Sequence, residues 1–243
     1  FVFSMNKEIN LNDKLGKVQK PSVENILGKK KVYVCILIQA PLEAPKELHD
    51  IIQKYWDAVE INLSNLEKKA GVINKIFVEG IPGKGEDVLM GVKEASLGAW
   101  QIAEIRTKSG AIFEQLEDKE ILLKVVDWSK CLNVGLMSQQ VADTITNELK
   151  EESEKRFNYI KNSLINNIDE GESALIFTGN QDIQIPENIE KFIISPPELD
   201  MVAQWIKNAQ QEMEEKIRNQ YNTQEKEKKD ESDKTDSGLW TPN

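Results

Sequence analysis

The hydrophobic pattern of this chain alternates between short apolar runs and longer stretches with a three-to-four-residue period. The clearest run is Lys31–Ala40, KVYVCILIQA, rich in β-branched residues and lacking a polar face. Such runs suit strands covered on both sides, as in a parallel sheet. Shorter runs at Val72–Val78, Ala111–Leu116, Ala174–Phe177 and Phe192–Ile194 predict further strands, and Cys131–Leu136 a short additional one.

Helices are predicted between them. From Pro45 onward, Leu48, Ile51, Ile52, Tyr55, Val59, Leu63 and Leu66 recur on one helical face, until Gly71 stops the helix after Lys68 and Lys69. Beyond the loop Ile81–Gly85, a short helix is predicted over Asp87–Glu94. Others follow over Leu97–Lys108, ended by Gly110, and over Lys119–Trp128. Ser138 is placed to cap the longest helix, which reaches Ile168 through Val141, Ile145, Leu149, Phe157, Ile160 and Leu164. About thirty helical residues span about 45 Å, so either part of this helix projects or it packs along the whole sheet. Its heptad is not kept, which favours a solvated surface helix over a coiled coil.

The best-marked helix start is Ser195-Pro196-Pro197-Glu198: serine at the cap, proline at the first helical position, glutamate three residues on. The helix it opens presents Leu199, Val202, Ile206, Ala209, Met213 and Ile217 on one face. The link before it is unusual. About fourteen residues separate Phe177 from Phe192, and Pro186 with Asn188 interrupts any helix. Parallel neighbours normally need a helical crossover. Either this pair is antiparallel, or Gly179–Ile189 is a crossover without secondary structure. Long irregular loops are commonly functional, which makes Thr178–Pro186 the loop best suited to ligand or partner contact.

The pattern therefore predicts an α/β fold: a largely parallel, or mixed, sheet of about five to six strands flanked by helices, with one long helix around 138–168. A polar arm over 1–30 precedes an α/β half over 31–136. The long helix, two strands and the capped helix form a second half over 137–218, and a charged, disordered tail is expected over 219–243.

Composition narrows the partners. The 243 residues carry a formal net charge of −10, which argues against a sequence-independent nucleic-acid binder and against an anionic membrane surface. The compact basic cluster Gly28–Lys31 abuts the first strand and reads as a solvated flank. No stretch of eighteen apolar residues occurs. The opening Phe-Val-Phe-Ser-Met lacks the regions of a signal peptide. Residues 1–4, ahead of Met5, are compatible with upstream read-through, and the expectation is a cytoplasmic protein. Cys35 and Cys131 are too few for a disulfide framework and belong to no CxxC.

Chemistry enters mainly by exclusion. The sole histidine, His49, lies in the first turn of a helix, so Ser-His-Asp and Cys-His nucleophile systems and multi-histidine zinc sites have no support. Gly80-Ile-Pro-Gly-Lys-Gly85 lacks Walker spacing and its following Ser or Thr, and no GxGxxG follows the first strand. No cofactor motif is present.

What remains is a set of polar residues at strand ends, where open α/β sheets bind ligands. Glu79, Glu117 and Asp118 are the candidates for catalysis or for holding a divalent cation; Thr178, Gly179, Asn180 and Ser195 are the candidates for binding a ligand. Asp118 equally suits the cap of the helix that follows it, and Ser195 its own. Two functions fit. One is a binding or scaffold protein with a protein or small-molecule partner, acting through the charged helix face and strand-end loops. The other is a metal-dependent or carboxylate-based hydrolase.

Overall fold

The computed structural model describes residues 28–180 and 182–235. Eleven elements follow one another: β1 (Lys30–Ile36), α1 (Lys46–Ala70), β2 (Ile73–Val78), α2 (Glu86–Ala95), α3 (Leu97–Lys108), β3 (Ile112–Phe113), α4 (Lys119–Leu132), α5 (Gln139–Asn167), β4 (Ser173–Thr178), β5 (Ile189–Ile194) and α6 (Pro197–Thr235). The strands form one sheet in the order β3-β2-β4-β1-β5, and every pairing is parallel. Strands from 31–136 and from 137–218 therefore interleave, with β4 inserted between β1 and β2.

The lack of alternation in β1 and β4 has its cause in burial on both faces. Tyr33, Cys35, Ile76, Val78, Leu175 and Phe177 face one core, completed by α1, α2, α3 and the start of α6. Val32, Val34, Phe77, Ala174 and Ile176 face the other, completed by Ile160, Leu164 and Ile168 at the end of α5. The crossovers β1–β2 and β2–β3 step toward the β3 edge over the first face. The crossovers β3–β4 and β4–β5 step back toward the β5 edge over the second. Reversing both direction and face preserves the hand, as the twist of parallel strands requires.

The last of these crossovers contains no helix. β5 is parallel to β1, so of the two readings open in the sequence the irregular parallel crossover is the one realised. Ile183 and Ile185 from this loop pack into the second core, where a crossover helix would otherwise lie.

Several local expectations are corrected. The segment Cys131–Leu136 is not a strand: Cys131 and Leu132 finish α4, and Gly135, at φ +72°, turns the chain toward α5. The strand expected over Ala111–Leu116 contracts to Ile112–Phe113 at the sheet edge, although the Glu114 N–H still donates to Ile76 O at 3.0 Å. Helix α6 starts at Pro197, with the Pro196 carbonyl accepting the Leu199 N–H at 2.9 Å, so Ser195 stands one residue outside the cap position. A residue that precedes proline is kept out of the helical region, and that keeps Pro196 from being the first helical residue.

Helix α5 divides in two. Ile160, Ser163 and Leu164 in its second half are buried on the sheet, whereas its first half pairs with α4, which has no buried residue of its own. Helix α6 likewise leaves the body: Leu199, Val202 and Trp205 pack, while residues 210–219 are exposed. Its backbone is helical as far as Thr235, across 219–235 where the sequence predicts a disordered tail; Gln, Glu and Lys are strong helix formers. The expected arm, up to Leu27, and residues 236–243 lie outside the described residues. Among the described residues no helix is long and apolar enough to cross a membrane.

Candidate functional site

The carboxyl ends of β2, β3 and β4 deliver four of the sequence candidates, Glu79, Glu117, Thr178 and Gly179, to one place. Glu79 follows β2, Glu117 lies beyond β3, and Thr178 ends β4. A residue absent from the candidate set joins them: Arg156, from the middle of α5. Its Nε donates to Glu117 Oε2 at 3.0 Å, its Nη2 donates to Glu117 Oε1, and the same Nη2 donates to Glu79 Oε1 at 3.0 Å. Glu117 is fully buried, and its Oε1 also accepts the Gly80 N–H at 3.0 Å. The other oxygen of Glu79 accepts the Thr178 hydroxyl and, at 3.1 Å, the Gly179 N–H. Thr178 Oγ1 in turn accepts the Asn180 N–H at 3.1 Å.

The network thus ties three strand ends to one helix. Hydrogen bonding to Glu117 raises the Arg156 pKa above its ordinary value, against the opposing effect of burial. Nη1 is the guanidinium nitrogen without a protein acceptor among the described residues.

The remaining candidates are placed differently. Asp118 does not join the carboxylates: its side chain caps α4, accepting the Glu120 and Ile121 N–H groups at 3.0 Å each. Asn180 accepts the Asp182 N–H on Oδ1 at 2.9 Å and stands on the wall between two clefts. Ser195 is exposed and borders the second of these. No group of three or more His, Cys, Asp or Glu side chains placed to hold a metal occurs among the described residues.

Both clefts follow from topology. The chain leaves β1 and β2 toward the first face and leaves β4, which lies between them, toward the second. The end of β4 is therefore flanked by a reversal on each side, the position at which open α/β sheets leave a crevice. One crevice, about 240 Å³, lies between Glu79 and Thr178 and is closed by Arg156, Phe157 and Gln184. The other, about 470 Å³, lies between Ile36 and Gly179 and is closed by Leu199, Val202 and Ile206 of α6.

Arg156 was accessible to a better choice of helical face. The inward ladder of α5 runs through the buried Ile145, Glu152, Ile160, Ser163 and Leu164, with the partly buried Arg156 in line with them and Phe157 beside it at the rim. A charged residue at four-residue spacing from Ile160 and Leu164 was the signal. Another arginine, the buried Arg106, is held similarly by Glu60 and, at 2.9 Å, by Glu67, and locks α3 to α1.

No protein-family model matches this chain, and no characterised protein or solved structure shows significant similarity to it.

Proposed function

We propose that the protein is a non-catalytic, cytoplasmic binding protein that takes a protein or small-molecule partner at the carboxyl edge of its sheet and along the charged face of α5. One observation carries this reading: each oxygen of Glu79 and Glu117 already accepts from the protein itself. A carboxylate acting as general base or metal ligand must turn a lone pair toward its substrate or ion. These two instead hold Arg156 and the strand ends in fixed relation. What faces the clefts is suited to recognition. Arg156 offers Nη1, while Ser153, Asn180 and Gln184 offer neutral donors and acceptors beside the half-exposed ring of Phe157. The net charge of −10 argues against nucleic acid as the partner.

A second reading is favoured by the convergence of Glu79 and Glu117 on one guanidinium. Release of Arg156 would leave two adjacent carboxylates able to hold a divalent cation for a hydrolase. Thermal unfolding in Mg²⁺, Mn²⁺ and Ca²⁺ separates the two, because an ion bound by the folded state alone raises the melting temperature. The binding reading expects no rise with any cation, and a lower melting temperature for Glu79→Gln or Glu117→Gln in the absence of metal. A cation-dependent rise that Glu79→Gln abolishes would replace it with the hydrolase.

A further inference from the structure

An arginine on the wall of a cleft ordinarily points to an anionic ligand. The crevice beside Arg156 is built against one. Its guanidinium already holds two carboxylates, those of Glu79 and the fully buried Glu117. A third, on Asp182, stands at the same crevice. Three carboxylates to one guanidinium leave a surplus of two negative charges around an opening of about 240 Å³. Lys191 comes near, donating to Ile183 O at 2.9 Å, but does not line the crevice. A phosphate or carboxylate seated there would meet that surplus at contact range, where salt screens it least.

The three carboxylates differ in what they leave for a ligand. Glu79 and Glu117 turn their oxygens to protein donors. Asp182 is exposed, and its carboxylate takes no hydrogen bond or ion pair among the described residues; its backbone N–H is the group that bonds Asn180. On the donor side, Arg156 keeps Nη1 without an acceptor among the described residues. The half-exposed ring of Phe157, with Ile160 and Ile183, supplies an apolar wall.

Resting on the binding reading above, we propose that this crevice takes a small organic cation with a neutral carbonyl beside its ammonium group and a hydrocarbon side chain. The ammonium group pairs with Asp182, the carbonyl accepts from Arg156 Nη1, and the hydrocarbon lies against Phe157, Ile160 and Ile183. An α-amino amide has this chemistry, and so does the amino end of a peptide. A free amino acid does not, because its own carboxylate would add to the surplus.

Isothermal titration calorimetry of the full chain at about pH 6, where an α-amine is protonated, tests this with three probes of one skeleton: phenylalaninamide, 3-phenylpropanamide and 3-phenylpropanoate. The expected order of affinity is cation, neutral amide, anion. Asp182→Asn should weaken phenylalaninamide about tenfold, as loss of a charge-assisted hydrogen bond does, and leave 3-phenylpropanamide within about twofold. Phe157→Ala should weaken both. Both positions are exposed, and far-UV circular dichroism establishes that each variant is folded. A tripeptide amide beginning with phenylalanine distinguishes the two sources: tighter binding than phenylalaninamide assigns a peptide end, weaker binding a free amine. Tightest binding by 3-phenylpropanoate overturns the proposal while keeping the crevice as a binding site. Phenylalaninamide bound equally well by Asp182→Asn overturns it too, as does binding by none of the three. The binding reading falls separately, to the cation-dependent rise in melting temperature that Glu79→Gln abolishes.

Discussion

Arg156 neutralises a fully buried carboxylate and positions a second one at the rim of a cleft, so its removal tests what the network is for. Arg156→Met leaves Glu117 buried without its countercharge, and breaking a buried pair in this way costs roughly 3–5 kcal/mol. Urea unfolding should show a loss of this size, with Arg156→Lys recovering only part of it, because an ammonium group cannot bond both carboxylates in the fork geometry. A loss of about 0.5 kcal/mol, typical of a surface site, would remove the clamp from the account. The sequence made Glu79, Glu117 and Thr178 visible because they sit at strand ends. It hid Arg156 inside the charged run Glu148–Arg156, where the hydrophobic ladder can be drawn through Phe157 as readily as through its neighbour. Asp118 carried both of its readings openly, and local hydrogen bonding decided for the cap.

At the scale of elements, the crossover from β4 to β5 takes the place of a helix with two isoleucines. Ile183 and Ile185 anchor the loop on the second core, and Lys191 Nζ donates to Ile183 O at 2.9 Å. Changing both isoleucines to serine should leave the sheet intact while making 179–188 accessible to protease. Cleavage elsewhere first would show that the loop is held by other means. The two halves of α5 should also separate in hydrogen exchange, with slower exchange over 156–167, which rest on the sheet, than over 139–151. Most elements were legible because burial on both faces removes alternation and burial on one face enforces the helical period. Boundaries were less so. The second proline in Ser195-Pro196-Pro197 moved the start of α6 by one residue, and nothing in the composition of 179–188 announces a parallel crossover.

For the molecule as a whole, the first core contains titratable groups that must lose their protons when exposed to alkali. Burial raises the pKa of the Cys35 thiol and of the Tyr33 and Tyr55 hydroxyls above their ordinary values of 9.0 and 10.0. The unfolded chain therefore releases these protons first, and stability falls as pH rises past the ordinary thiol value. Lys31, whose pKa burial lowers, acts in the opposite sense, since its folded form sheds a proton below the ordinary 10.5. Tyr159 on α5, also raised by burial, adds to the first three, and the balance predicts a melting temperature that drops from about pH 9 upward. Cys35→Ala should move the onset toward the tyrosine range; an unchanged onset would assign it to other groups.

The interleaved strand order also bears on how the chain comes off the ribosome. Strands β1 and β2 appear early yet never touch, because their shared neighbour β4 spans Ser173–Thr178. Until that segment emerges, more than half of the polypeptide holds two apolar strands with an empty slot between them. Non-local pairing of this kind slows folding and exposes unpaired edges to aggregation. A nascent chain halted before Ser173 thus lacks the strand that joins β1 to β2, and the sheet closes only when its middle, delivered late, slides into place.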